Sequence, residues 1–288
     1  MKQLSGHTTP FAVLGHPIGH TLSPVMHNAS LRSLRRDAIY LAFDVAPDRL
    51  VGVLPAMRNM GFGGVNLTVP LKEVGLRCMD ELDPSAELLG AVNTVEFREG
   101  GGMRGHNTDG AGFLLAIKEA FEAGIAGRSV FVLGCGGAGR GVAITCAREG
   151  AGALFLSDVD SERVQRLHDE IAALAPDVAV DSVPADRAAA GARSADLVVQ
   201  ATPVGMKKTD ASLLDGHAFR KGQLVFDLVY MYPETAFMKA AREAGAAAAN
   251  GLGMLLHQGA KAYRVWTGEE PDVGAMRAAL EQAVYGES

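Results

Sequence analysis

Gly134-Cys-Gly136-Gly-Ala-Gly139 follows directly on the apolar run Ser129-Val-Phe-Val-Leu133, and this junction constrains the fold more than any other feature. An apolar run of that length reads as a buried strand, and the glycine-rich break before a helical pattern reads as a tight turn into a helix N-terminus. Gly134 permits the turn, Gly136 lets the backbone approach a ligand, and Gly139 lets the helix pack on the strand. Free N–H groups and the positive end of the helix dipole favour an anion there. A second apolar run, Ala153-Leu-Phe-Leu-Ser157, ends at Asp158, whose carboxylate can accept from a ribose 2′-OH. Strand, glycine loop, helix, strand and acid in this order predict a Rossmann-like dinucleotide-binding domain, with Gly134, Gly136, Gly137, Ala138, Gly139 and Asp158 against the cofactor.

The rest of the chain alternates strand and helix, so the fold class is α/β. Before the fingerprint, 11–14, 39–43, 64–69, 91–97 and 103–106 read as strands, the last two joined as a hairpin through Glu99-Gly-Gly-Gly102. Helices are expected over 24–34 with Ser23 as cap, over 47–60, and over 112–123 with Gly124 as stop. After it, 196–200 and 223–229 read as parallel strands. A helix capped by Asp160 or Ser161 presents Val164, Leu167, Ile171 and Leu174 on one face. Pro233 opens a further helix, 244–249 reads as a helix end and a short buried strand, and 251–266 forms another helix. Two α/β domains follow: 1–108 as a partner lobe and 109–251 as the dinucleotide domain.

Charge and cysteine usage narrow the function. Net charge is −6 with scattered basic residues, which argues against nucleic acid or an anionic membrane as partner. No apolar run approaches the roughly 18 residues of a membrane helix, and the N-terminus has no signal-peptide core, so a cytoplasmic protein is expected. Cys78, Cys135 and Cys146 form no CxxC pair, which excludes a disulfide framework or zinc knuckle. His16, His20 and His27 are read as loop histidines, because Pro17 and Gly19 prevent a helix and no carboxylate lies among them; no metal is expected.

Four polar clusters fall at strand ends, where α/β proteins bind ligands. Thr21 and Ser23 stand two apart before a helix, able to grip a carboxylate or polyol, although Ser23 alone fits plain capping equally well. Asn66, Thr68 and Pro70 share a strand face with Lys72 just beyond it, and a lone lysine is ordinarily a solvated surface group. Asn93 sits mid-strand against its propensity. Asp109 in Asn107-Thr-Asp-Gly110 fits a helix cap as well as a catalytic acid.

Taken together and in order, these segments resemble the shikimate dehydrogenase family over nearly the whole chain. Gly15-His-Pro-Ile-Gly-His-Thr-Leu-Ser-Pro24 resembles its substrate-carboxylate loop and Asn66-Leu-Thr-Val-Pro-Leu-Lys72 its catalytic-lysine motif. Ala91-Val-Asn-Thr94, Asn107-Thr-Asp-Gly110, Ala201-Thr-Pro-Val-Gly-Met206, Asp227-Leu-Val-Tyr230 and Gly251-Leu-Gly-Met-Leu-Leu-His-Gln258 continue the match. The resemblance implies reversible NAD(P)-linked reduction of 3-dehydroshikimate to shikimate, or quinate chemistry in a sister branch. It implies an active-site cleft between the two domains, with the first domain completed by helices over 252–288, and a monomer or homodimer. Lys72 and Asp109 would be the catalytic pair, with Thr21 and Ser23 on the carboxylate, closed by Tyr230. Asn66, Thr68, Asn93 and Gln258 would complete the substrate site, and Thr202, Met206, Leu228 and Gly251 the cofactor site near the nicotinamide. A non-enzymatic ligand sensor on the same fold is the competing class, and retention of both Lys72 and Asp109 argues against it.

Three positions depart from the family pattern. Thr21 replaces a serine, and Leu71 replaces an aromatic residue before the lysine. Ser157-Asp158-Val159 stands where NADP-using members carry Asn-Arg-Thr. An acid in the arginine's place repels a 2′-phosphate: a unit-charge pair at ~4 Å is worth about 4 kcal/mol at an effective dielectric near 20, before screening. NAD is therefore expected in preference to NADP.

Overall fold

The computed structural model describes residues 4–286. The chain divides into two compact units: one runs to Gly112 and resumes at Leu255, and the other is Phe113–Met254.

The first unit is laid down as β1 (Thr9–Gly15), α1 (Ser23–Ser33), β2 (Ala38–Asp44), α2 (Leu50–Asn59), β3 (Gly64–Leu67), α3 (Leu71–Leu76), β4 (Glu81–Leu82), α4 (Pro84–Leu89), β5 (Thr94–Phe97) and β6 (Met103–His106). Its sheet has the order β2-β1-β3-β5-β6-β4. Strands β1, β2 and β3 run parallel, and β5 pairs antiparallel with both β3 and β6. The parallel pairing of β1 with β3 brings the loops that follow them, 16–22 and 68–70, to one end of the sheet. The chain leaves this unit within α5 (Asp109–Phe121).

The second unit comprises β7 (Ser129–Leu133), α6 (Gly137–Arg148), β8 (Ala153–Ser157), α7 (Ser161–Leu174), β9 (Ala179–Ser182), α8 (Ala188–Ser194), β10 (Leu197–Gln200), β11 (Leu224–Asp227), α9 (Ala236–Glu243) and β12 (Ala247–Asn250). All six strands are parallel in the order β12-β11-β10-β7-β8-β9. Chain direction across the sheet reverses at β7, the switch point at which doubly wound sheets bind ligands. Val130, Val132, Leu154, Leu156, Val198 and Phe226 are fully or almost fully buried, as the near-continuous apolar runs of parallel strands require.

Two last helices, α10 (Leu252–Thr267) and α11 (Val273–Tyr285), return the chain to the first unit. Trp266 lies over β3, so close that a Cβ on Gly64 would sit 2.1 Å from its indole, and its Nε1 donates to Val95 O at 3.0 Å. Among the described residues no helix is long and apolar enough to cross a membrane.

Several boundaries differ from the sequence reading. Ser23 does not cap α1: Leu22 holds that position and Ser23 is the first helical residue. Strand β3 ends at Leu67, so Thr68 and Pro70 lie off the strand, and β5 begins at Thr94, which leaves Asn93 just outside it. Helix α5 starts at Asp109, where Asn107 Oδ1 accepts the Asp109 N–H, and Glu122 rather than Gly124 takes the left-handed position (φ 51°) after it. Helix α9 starts after Thr235, whose hydroxyl accepts from Met238 N, and Pro233 stays in the loop. Strand β12 is half-exposed rather than buried, as befits a sheet edge. His27 is a buried residue of α1, not a loop histidine.

Candidate active site

In the first unit, Leu71 is fully buried and anchors the short helix α3, which places Lys72 in its first turn. Lys72 Nζ donates to Asp109 Oδ2 at 2.7 Å, with side-chain exposures of 30% and 21%. A pair so sheltered is not a solvated surface contact. Asp109 Oδ1 accepts from Asn93 Nδ2 at 2.9 Å, so the carboxylate is held from both sides. Asn93 is buried and its amide is fully engaged. Its Nδ2 also reaches Thr108 Oγ1 at 2.9 Å and Gln258 Oε1 at 3.5 Å, while its Oδ1 accepts from Thr108 N and Thr94 Oγ1, each at 2.9 Å. These long-range bonds explain why an asparagine stands at the mouth of a strand.

Asn66 is likewise committed to the protein. Its Nδ2 donates to Asn93 O at 2.9 Å and Thr94 Oγ1 at 3.0 Å, and its Oδ1 accepts from Tyr40 Oη–H at 2.6 Å. With both amide protons used, Asn66 can only accept a further bond. Tyr40, which sequence reasoning passed over as a strand residue, therefore belongs to this site. Burial raises its phenol pKa well above the ordinary value against a hydrogen bond from Ser23, so the phenol stays protonated and able to donate. Thr21 Oγ1 lies 3.3 Å from Ser23 Oγ and accepts the Ser23 N–H at 3.3 Å, which sets the two hydroxyls side by side. Thr68 N donates to Leu14 O at 2.9 Å, and a Cβ on Gly15 would meet the Thr68 methyl at 2.6 Å. Gln258 sits on α10, where its Nε2 donates to Leu255 O.

In the second unit, Gly134 has φ 97° and its N–H donates to Ser157 O at 2.8 Å. A Cβ on Gly139 would fall 1.8 Å from Gly134 O, which only glycine avoids. Gly136 caps α6 without a side chain, Gly137 and Ala138 are exposed, and nothing lies within 4 Å of a Cβ at Gly136 or Gly137. The loop is thus closed behind and open in front, which fits a dinucleotide phosphate at the helix N-terminus. Asp158 accepts from Cys135 N at 2.7 Å, Asp160 N at 3.0 Å and Arg163 at 3.3 Å. Burial works against its charge, but these donors outweigh it and hold the carboxyl below the usual range. Three of about four carboxylate acceptor sites are occupied, leaving one for a ribose hydroxyl. Burial and the Asp158 charge push the Cys135 thiol up to about 12, so it fills space rather than reacts.

Thr202 adjoins the fingerprint, its methyl 2.8 Å from a Cβ placed on Gly134. Met206 is exposed and its carbonyl accepts from Tyr232 Oη–H at 3.0 Å. Leu228 N donates to Gln200 O, and a Cβ on Gly251 would lie 2.2 Å from Leu228 O. Tyr230 belongs to this second unit, and burial raises its phenol pKa. No cluster of metal-ligating side chains occurs among the described residues.

Residues 13–95 match the model of the shikimate dehydrogenase substrate binding domain, and residues 251–281 that of the shikimate 5′-dehydrogenase C-terminal domain. A shikimate dehydrogenase (NADP(+)) of Methanopyrus kandleri is 40% identical over 283 residues, covering 96% of each chain. This chain belongs to the shikimate dehydrogenase family. A shikimate 5-dehydrogenase from Listeria monocytogenes, solved with shikimate and NAD, has a TM-score of 0.90 at 33% identity, over 97% of this chain and 99% of its own. Quinate dehydrogenase from Corynebacterium glutamicum, solved with NAD, has a TM-score of 0.87 at 35% identity, over 94% and 98%. As a member of the shikimate dehydrogenase family the chain is an oxidoreductase that uses a pyridine nucleotide.

Proposed function

We propose that this chain catalyses reversible reduction of 3-dehydroshikimate to shikimate with NAD(H) preferred over NADP(H), and that Lys72 and Asp109 are its catalytic pair. The observation that carries the reading is the sheltered 2.7 Å contact between Lys72 and Asp109, framed by Asn93. When bound, a reduced nicotinamide would supply the hydride for the ketone carbon. The ketone oxygen then gains negative charge, which needs a proton and a nearby cation. Lys72 answers both needs: its ammonium stabilises the oxygen and transfers a proton to it, and the neutral amine regains one from water. In the oxidising direction the neutral amine takes the hydroxyl proton. Asp109 holds Lys72 on station and accepts from the substrate hydroxyl, and Asn93 fixes Asp109. Thr21 and Ser23 donate to the carboxylate, Thr68 and Gln258 bond ring hydroxyls, and Asn66 contributes an acceptor only.

Gly136, Gly137 and Ala138 of the second unit would hold the phosphates of the nucleotide. NAD preference is supported by Asp158, ionised throughout the neutral range and placed after β8, where a 2′-phosphate would bring a second negative charge. Arg163 at 3.3 Å offsets part of that repulsion, so the discrimination is several-fold rather than absolute. Likeness to the Corynebacterium protein supports quinate as a second substrate.

Initial rates with shikimate or quinate, each with NAD⁺ or NADP⁺, test the reading. Shikimate with NAD⁺ should give the highest kcat/KM; a higher value with NADP⁺ refutes the role of Asp158, and dominance of quinate moves the chain to that substrate. Lys72→Met should lower kcat by about 10²–10⁴. Retention of more than a tenth of wild-type kcat removes Lys72 from the chemistry.

A further inference from the structure

Asp227 is a carboxylate with no exposed surface, and no ion pair to it occurs among the described residues. Such a group costs stability unless it is well bonded. It accepts three hydrogen bonds: from Gln200 Nε2 at 3.1 Å and Val229 N at 3.0 Å on one oxygen, and from Thr235 Oγ1 at 2.6 Å on the other. Gln200, itself buried, donates to Val204 O at 2.8 Å and accepts from Thr202 N at 2.5 Å. The carboxylate therefore knots two loops at their stems. The 201–206 loop after β10 is tied through Gln200, and the 228–235 loop after β11 is tied through Val229 and Thr235. At the outer end the same loops meet again, where Tyr232 Oη–H donates to Met206 O.

Charge is what lets one side chain serve three donors. A neutral amide at this position has a single acceptor oxygen, and its NH₂ would face the Thr235 hydroxyl. Thr235 would have to reverse its bond while still accepting from Met238 N at the start of α9. A purely apolar plug would leave Gln200 Nε2 and Val229 N without their acceptor, at the expense of both loop stems.

We propose that Asp227 is a positioning residue for nucleotide binding, acting through Gln200, Val229 and Thr235 to set the two loops that carry Thr202, Met206 and Leu228. This rests on the reading of those three residues as nucleotide contacts. Binding of NADH, followed by its own fluorescence, tests the proposal without turnover. Asp227→Ala should raise the Kd for NADH at least tenfold, and Asp227→Asn should recover part of the loss. Shikimate KM, measured at saturating nucleotide, should rise by less than the NADH Kd in both variants, because Tyr230 alone among the substrate-site residues lies on these loops. A purely architectural role would lower thermal stability in both without this split. An NADH Kd within threefold of wild type in Asp227→Ala, or an equal rise in shikimate KM, overturns the proposal. If Asp227→Ala does not fold, Thr235→Val, which removes one donor and keeps the shape, decides: a Kd raised threefold or more supports the knot, and a smaller change overturns it. Wild-type protein that binds NADH but turns over neither shikimate nor quinate would defeat the dehydrogenase reading alone.

Discussion

Acid should destabilise the first unit through a single histidine. His27 is 1% exposed, its ring stacks on Tyr40 at 4.2 Å with planes 7° apart, and its Nε2 has no hydrogen-bond partner among the described residues. Burial lowers its pKa from 6.5 to about 3. The unfolded chain takes up a proton below pH 6.5 that the native ring refuses. The stability tied to His27 is therefore complete above pH 6.5 and drains away as pH falls toward 3. At about 1.4 kcal/mol per unit of pKa difference, roughly 2 kcal/mol is lost by pH 5 and nearly 5 over the full shift. His27→Phe keeps an aromatic ring for the stack and removes the titrating group. Urea unfolding at pH 7 and pH 5 can be followed through Trp266, the single tryptophan of the sequence, whose ring lies 5.7 Å from His27. Any packing cost of the larger ring is independent of pH and cancels between the two conditions. The wild type should lose about 2 kcal/mol more than the variant between them. Equal losses would show that His27 takes up its proton without unfolding, and would refute the reasoning.

Two further outcomes follow from contacts described above. Gly139→Ala forces a methyl to within 1.8 Å of Gly134 O, so the fingerprint turn must open, and NADH titration should show binding weakened by more than tenfold. Tyr40→Phe deletes the only donor to Asn66 Oδ1 among the described residues while keeping the ring that stacks on His27. A lost buried bond of this kind is worth about 1–3 kcal/mol, and steady-state kinetics should show it as a shikimate KM raised roughly tenfold with the nucleotide KM unchanged.

The Rossmann-like fold of the second unit was legible because its signals are local. Glycine spacing, two apolar runs and a terminal acid lie within a short stretch, and each has one physical use. The substrate unit was legible as motifs but not as geometry. Asn93 was readable as a residue against its propensity and Asn66 as part of a polar strand face, yet their partners include Thr108, Asp109, Thr94 and Tyr40, which the sequence alone does not place beside them. Tyr40 gave no signal, because an aromatic residue in a strand is what propensity expects. Helix α3 spans six residues with Gly75 inside it, and β4 spans two, so neither is long enough to show a period. The misplaced start of α5 has a similar cause. Asn107 accepts the Asp109 N–H and begins the helix earlier than the apolar pattern does.

The first unit is finished by its last residues. Trp266 covers Gly64 and bonds Val95, α11 packs on α1, and Asp272 N donates to Ser30 Oγ at 2.9 Å. During synthesis the N-terminal strands leave the ribosome long before the helices that cover them exist. Residues 113–254, by contrast, form a continuous stretch that can close its sheet as it emerges. The segment made second is thus free to fold first, while the earlier sheet waits with one face covered by α1 alone. A nonsense codon a few turns before Trp266 would leave the parallel sheet of the second unit whole and strand the unit that was made before it.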